Sequence, residues 1–105
     1  MDLNRVMVSI VTPSYNCSKY IAKTIESVTR QGYKNWEMII VNDCSIDNSI
    51  EMIERIIGDN PKIRLIKLEN NVGSAQSRNA ALEVANGRFI AFLDSDDIWH
   101  PDKLE

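Results

Sequence analysis

The sequence of 105 residues is short of several things at once: it has two cysteines, four glycines, three prolines, one histidine and 7% aromatic residues. Cys17 and Cys44 are too few to staple a disulfide-dependent miniprotein, and their spacing fits neither a zinc pattern nor C-x-x-C, so a reducing, cytoplasmic setting is expected. A single histidine, His100, cannot build a metal site alone and reads as a loop residue. Basic surplus is missing too: 12 Lys+Arg against 15 Asp+Glu give a net charge of −3, which leaves nothing to neutralise a phosphate backbone, and no nucleic acid is expected as a partner. No long apolar run occurs near the N-terminus. Residues 6–11 are interrupted by Ser9 and run into Thr12 and Pro13, too short for a membrane span or a signal peptide, so neither export nor an anchor is expected.

What is present is a globular composition, 44% hydrophobic and 26% charged, enough for one domain or less. Apolar runs of strand length alternate with stretches of helical period, the pattern of βαβ units around a mainly parallel sheet. Strands are expected at residues 6–12, 37–41, 63–68 and 89–93, and helices at 18–31, 47–57 and 74–86. The first, second and fourth runs are nearly continuous and predict central strands covered on both faces, whereas Arg64 and Lys67 mark the third as an exposed edge. The helical stripes are Ile21, Ile25 and Val28, then Ile50, Ile53 and Ile57, then Ala75, Asn79 and Leu82 with Ala81 or Ala85. Gly32, Gly58 and Gly87 fall just past expected helix ends, where glycine tolerates positive φ, and Gly73 precedes the third helix. None is left for G-x-G-x-x-G or G-x-x-x-x-G-K-[ST], which excludes a dinucleotide fingerprint and a P-loop.

Right-handed crossovers permit the sheet order 3-2-1-4, a Rossmann-like α/β arrangement with helices on both faces. Ligands in such sheets bind at the C-terminal edge of the strands, where three polar loops would converge: residues 12–16, 42–45 and 94–97. Strand spacing puts the loops of Asp43 and Asp96 roughly 10 Å apart with Tyr15 between, a span that suits a nucleoside diphosphate. Asp94, Asp96 and Asp97 crowd three carboxylates into four residues, which invites a hard cation such as Mg²⁺ or Mn²⁺ that shares its remaining positions with substrate phosphates. The same aspartates would also serve as caps for a helix opening near Pro101. Ser45 is the expected N-cap of the second helix, which leaves Asp43 free to accept the imide N–H of uracil. Tyr15 fits either a stacking contact on a base or the core, and Arg78 either reaches the site past its small neighbours or stays on a solvated helix face. Both cysteines read as packing residues.

In this order the residues resemble family 2 glycosyltransferases of the GT-A fold. The resemblance rests on four blocks covering nearly the whole chain: residues 11–16 (VTPSYN), residues 40–47 (IVNDCSID, similar to V-[DN]-D-[GC]-S-x-D), Asn71-Val72-Gly73 with Arg78-Asn79, and Phe92-Leu93-Asp94-Ser95-Asp96-Asp97-Ile98-Trp99, which is similar to the D-x-D region. It implies that Thr12, Pro13, Tyr15, Asp43 and Arg78 hold the nucleotide side of a donor that is usually UDP-linked, that Asp94 touches the ribose or sugar side, and that Asp96 binds the divalent metal. It further implies sugar transfer with inversion to a hydroxyl of a saccharide or lipid-linked acceptor, in polysaccharide or glycolipid synthesis, in the cytoplasm or at the inner face of the membrane. The family's general base lies beyond the D-x-D block, so residues 1–105 are expected to be a donor-binding part without turnover of its own. Asn42, Cys44 and Ala80-Ala81 depart from the pattern, standing where many members carry Asp, Gly and a nearby Gly. A non-catalytic nucleotide-sugar-binding module is the alternative from another class. A phosphoacceptor domain would need acidic residues directly after the first strand, and a nucleotidyltransferase a glycine-rich loop there; Thr12-Pro13-Ser14 supplies neither.

Overall fold

The computed structural model describes residues 6–95 together with 98 and 99. Along the chain run β1 (Val8–Ser14), α1 (Ile21–Thr29), β2 (Trp36–Asn42), α2 (Ser49–Ile57), β3 (Ile63–Lys67), α3 (Ser74–Val84) and β4 (Phe89–Phe92). The strands form one parallel sheet in the order β3-β2-β1-β4, as the crossover argument requires. The expected helix beyond Pro101, and Asp96, Asp97 and His100, lie outside the described residues.

Alternation along the two central strands builds a core on each face. Ile10, Met38 and Ile40 face α1 and α2 and pack with Ile21, Ile25, Val28 and Ile53. Val11, Ile39 and Val41 pack on the opposite face with Ala81 of α3. α3 buries Ser77 and Ala81, with Ala80, Val84 and Ala85 alongside; of the expected stripe Ala81 and Ala85 pack inward, whereas Ala75 and Asn79 are exposed and Leu82 is 39% exposed. A helix this rich in small residues has little amphipathic contrast from which to read its inner face.

β4 also departs from expectation. Among the described residues it pairs only with β1, and Phe89, Ile90 and Phe92 are 58%, 38% and 53% exposed, so it forms the second margin of the described sheet, where a central strand was expected. β3 is the other margin, with Arg64 and Lys67 exposed as expected. β1 continues two residues beyond its expected end, through Pro13 to Ser14. A strand residue sends its N–H and C=O to the same side, and Val11 O accepts Leu93 N–H on the β4 side. The donor that Pro13 lacks therefore falls on that side, beyond the last β1–β4 pair, Val11 with Phe92, where no ladder bond is lost.

Positive φ occurs at Gly58, which ends α2, and at Gly73, but not at Gly32 or Gly87. Gly87 is required for a different reason: a Cβ there would lie 2.5 Å from both the amide nitrogen and Oγ of Ser9. This close approach is part of a clamp at the sheet edge opposite the polar loops. Gly87 N–H donates to Ser9 Oγ (2.7 Å), while Ser9 Oγ–H and Asn86 N–H both donate to Glu37 Oε2. Burial alone would raise the Glu37 pKa; the hydrogen bonds from Ser9, Asn86 and Gly87 outweigh it and hold the carboxyl below its ordinary value.

Candidate functional site

At the C-terminal edge of the strands the loops after β1, β2 and β4 and the first turn of α3 enclose a cavity of about 430 Å³. Pro13, Tyr15, Asp43 and Asp94 line it, joined by Ser74 and Ser77 from α3 and by Ser14, Asn16, Cys17, Tyr20 and Ser95. Four of the six expected nucleotide-binding residues are thus brought together. Arg78 comes to the same place through Asp94: its Nη2 lies 3.5 Å from Asp94 Oδ1, and its guanidinium stands 5.8 Å from the Phe92 ring centroid. Thr12 is set apart, fully buried within β1, and its Oγ1 has no hydrogen-bond partner among the described residues. Asp96, the expected metal ligand, lies outside the described residues, among which no group of three or more His, Cys, Asp or Glu is disposed to hold a metal.

Tyr15 is 49% exposed on the cavity wall, which removes the core as its destination. Asp43 requires a correction, because its carboxylate is not free. The residue is 4% exposed, and its Oδ1 and Oδ2 accept the backbone N–H groups of Val72 (2.7 Å) and Gly73 (2.8 Å). Its carbonyl accepts Asn71 Nδ2 at 3.1 Å, and its own N–H donates to Ser14 O at 2.8 Å. Asp43 therefore joins the end of β2 to the end of β1 and to the loop that leads into α3. The donors to its carboxylate and carbonyl lie 28 to 30 residues away in sequence, out of reach of a local reading.

Ser45 does not cap α2 either. The helix begins at Ser49, and Ser45 Oγ instead accepts Asn16 N–H from the loop after β1 (3.0 Å). Asn16, with φ +48°, returns a bond by accepting Ile46 N–H on its Oδ1 (2.9 Å), and Ser45 N–H donates to Asn42 Oδ1. Asp47 and Ser49 complete the seam. Cys17 N–H donates to Ser49 Oγ (3.1 Å), the Ser49 hydroxyl and N–H donate to Asp47 Oδ1, and Ser18 N–H donates to Asp47 Oδ2 (3.1 Å). Burial of Asp47 would raise its pKa, but these bonds from Ser49 and Ser18 prevail and lower it. Sequence reasoning placed Asp47 in a helix and assigned it no role; the available signal was its position at the end of the V-[DN]-D-[GC]-S-x-D block. Both cysteines are free. Cys17 is buried with its Sγ 2.7 Å from Ser14 Oγ, in keeping with a packing role.

A parallel sheet of this order, with a polar cavity where its strand ends converge, defines a nucleotide-binding α/β fold, and its structural neighbours are GT-A glycosyltransferases. S. aureus TarS 1-349 in complex with UDP superposes with a TM-score of 0.86 at 33% identity, over 93% of this chain and 30% of that one. The mannosyltransferase PcManGT from Pyrobaculum calidifontis, in complex with GDP-Man and Mn²⁺, gives 0.86 at 25% identity over 94% of this chain and 30% of that one. The profile of Glycosyl transferase family 2 matches residues 9–105, and the chain belongs to that family. It is 50% identical over 99 residues to TuaG of Bacillus subtilis (strain 168), whose name assigns it to teichuronic acid biosynthesis, covering 94% of this chain and 39% of that protein. It is 46% identical over 99 residues to the Escherichia coli UDP-Glc:alpha-D-GlcNAc-diphosphoundecaprenol beta-1,3-glucosyltransferase WfgD, covering 94% of this chain and 38% of that one. The chain thus spans about two fifths of the length of these two relatives. Among the described residues no helix is long and apolar enough to cross a membrane.

Proposed function

We propose that this chain is the nucleotide-sugar-binding part of a glycosyltransferase that moves a sugar from a nucleoside diphosphate, UDP in the first instance, to an acceptor hydroxyl with inversion, in bacterial polysaccharide or glycolipid synthesis. The observation that carries the reading is that the loops of β1, β2 and β4 bring Tyr15, Asp43 and Asp94 to one shared cavity. UDP is preferred because TarS, crystallised with UDP and with UDP-GlcNAc, shares 33% identity with this chain, against 25% for the neighbour that holds GDP-Man.

On this reading the exposed ring of Tyr15 stacks on the base, a contact worth roughly 1–3 kcal/mol. Asp43, its oxygens already accepting two amides, keeps lone-pair capacity for one base N–H. Ser74 stands at the N-terminal end of α3, whose dipole favours the anionic diphosphate, while the Ser77 hydroxyl is engaged on Gly73 O. Arg78 adds a cation close by. The donor set fits a divalent metal of the Mn²⁺ or Mg²⁺ type: Asp94 offers a largely exposed carboxylate at the cavity, and Asp96, two residues on, is the proposed metal ligand, with phosphates supplying further oxygens. Such a metal, when bound, offsets the charge that builds on the departing diphosphate. Transfer also needs a base to take the acceptor's hydroxyl proton as its oxygen bonds to the anomeric carbon and the diphosphate leaves. By the family resemblance that base lies beyond the D-x-D block, so it is assigned, with the acceptor pocket, to a part outside residues 1–105.

Titration of UDP-sugars and other nucleotide sugars with and without Mn²⁺, repeated on Asp96→Ala, tests this. Binding of UDP-sugars that strengthens with metal and loses that gain in the variant is expected; binding indifferent to both removes the metal role. Normal turnover by the 105 residues alone would overturn their assignment as a donor-binding part.

A further inference from the structure

We propose that Asp47 is a positioning residue for the cavity wall that carries Tyr15, an inference that rests on the nucleotide-binding reading of that cavity. Nothing in that reading requires Asp47, which does not line the cavity. A helix-start aspartate with only a local role would use one oxygen, on the N–H two residues ahead. Asp47 does this through Oδ1 and Ser49. Its other oxygen accepts Ser18 N–H, 29 residues away in sequence on the loop after β1. Oδ1 also accepts a hydrogen bond from the Ser49 hydroxyl, which turns the lone pairs of that hydroxyl toward the buried N–H of Cys17. One carboxylate thus gathers two consecutive backbone amides, directly at Ser18 and through Ser49 at Cys17, just after the stretch Pro13 to Asn16 that forms the wall.

The wall is also tied to the loop after β2 by Asn16, whose N–H donates to Ser45 Oγ and whose Oδ1 accepts Ile46 N–H; Asp47 anchors the two residues that follow. Tyr15 is half-exposed, and Asn16 has a left-handed φ that costs energy unless its surroundings hold it. Hydrogen bonds to a charged acceptor are among the stronger ones. Without them the loop samples conformations in which the Tyr15 ring no longer meets a base, and affinity falls by the fraction of time it is misplaced.

The test uses the full chain with UDP as the probe. Asp47→Asn is expected to speed hydrogen exchange at the Cys17 and Ser18 amides and to weaken UDP binding about tenfold. In a Tyr15→Ala background the same substitution is expected to cost less than about twofold, because the ring it positions is gone. Equal losses in both backgrounds, or unchanged exchange at both amides, overturn the proposal. Should Asp47→Asn fail to fold, Ser49→Ala removes only the relay to Cys17 and carries the same cycle, with a loss of about threefold expected in the parent and none in Tyr15→Ala. If the parent protein does not bind UDP, the nucleotide reading falls, and exchange at Cys17 and Ser18 alone decides whether Asp47 holds the loop.

Discussion

Cys44 has φ +55°, a left-handed conformation that costs a residue with a Cβ about 1–2 kcal/mol. This explains in physical terms why glycine is frequent at the corresponding place in the family pattern. Cys44→Gly removes that steric cost but adds about 0.5–1 kcal/mol of unfolded-chain entropy, so stability is expected to stay level or rise by no more than about 1.5 kcal/mol. Cys44→Val, branched at Cβ, is expected to lose about 1–2 kcal/mol or more. Urea denaturation of the two variants measures both, and a valine variant as stable as the parent contradicts the strain. The departure itself was legible in the sequence as a cysteine in a glycine's place; its φ was not, because a turn's handedness depends on the bonds its neighbours make. Asp43 shows the same limit. Its residue type and its place after a central strand were readable, whereas the amides of Val72 and Gly73 that occupy it come from a distant loop.

Among elements, strand identity and order were the readable part, because apolar runs and the handedness of crossovers are local or generic constraints. The ends of elements were less readable. α2 starts at Ser49, two residues after the expected Asp47, since Asp47 is drawn off to Ser18 and Ser45 to Asn16. At the opposite edge, Glu37 ties the α3–β4 connection to β1 and β2, and its charge makes stability depend on pH. Glu37 and Asp47 both have folded-state pKa values below the ordinary 4.5 and 3.8. The unfolded chain therefore binds protons first as pH falls, and the stabilisation present above the ordinary values is lost as pH drops through the folded ones. Chemical denaturation between pH 6 and about pH 3 is expected to show this decline, and Glu37→Gln to show a shallower one. Identical slopes for parent and variant mean that the clamp does not depend on the charge.

Across the described residues as a whole, the core is concentrated on β1 and β2 and thins toward β4. Ile40 is completely buried, whereas Phe92 is 53% exposed. Ile40→Ala is expected to cost about 2–5 kcal/mol. Phe92→Ser should cost only about 1 kcal/mol although it deletes the larger side chain, since about half of its surface is already in contact with water. Thermal unfolding of the pair tests this, and a larger loss for Phe92 would show that β4 is covered. The apolar run of β4 was read as central because hydrophobicity reports what a strand suits, and only the structure shows which neighbours it has. Pro13 has a consequence at this same scale. Pro13 offers no amide on the β4 side, so the next donor the ladder would need from β1 is missing, and the described pairing with the fourth strand ends at the Leu93 N–H. From there the chain turns across α1, where Thr24 Oγ1 donates to Ser95 O at 2.8 Å. A proline on one strand thereby sets the point at which its neighbour lets go, and the first carboxylate of the acidic stretch, Asp94, stands at that point, free of the ladder and open to the cavity.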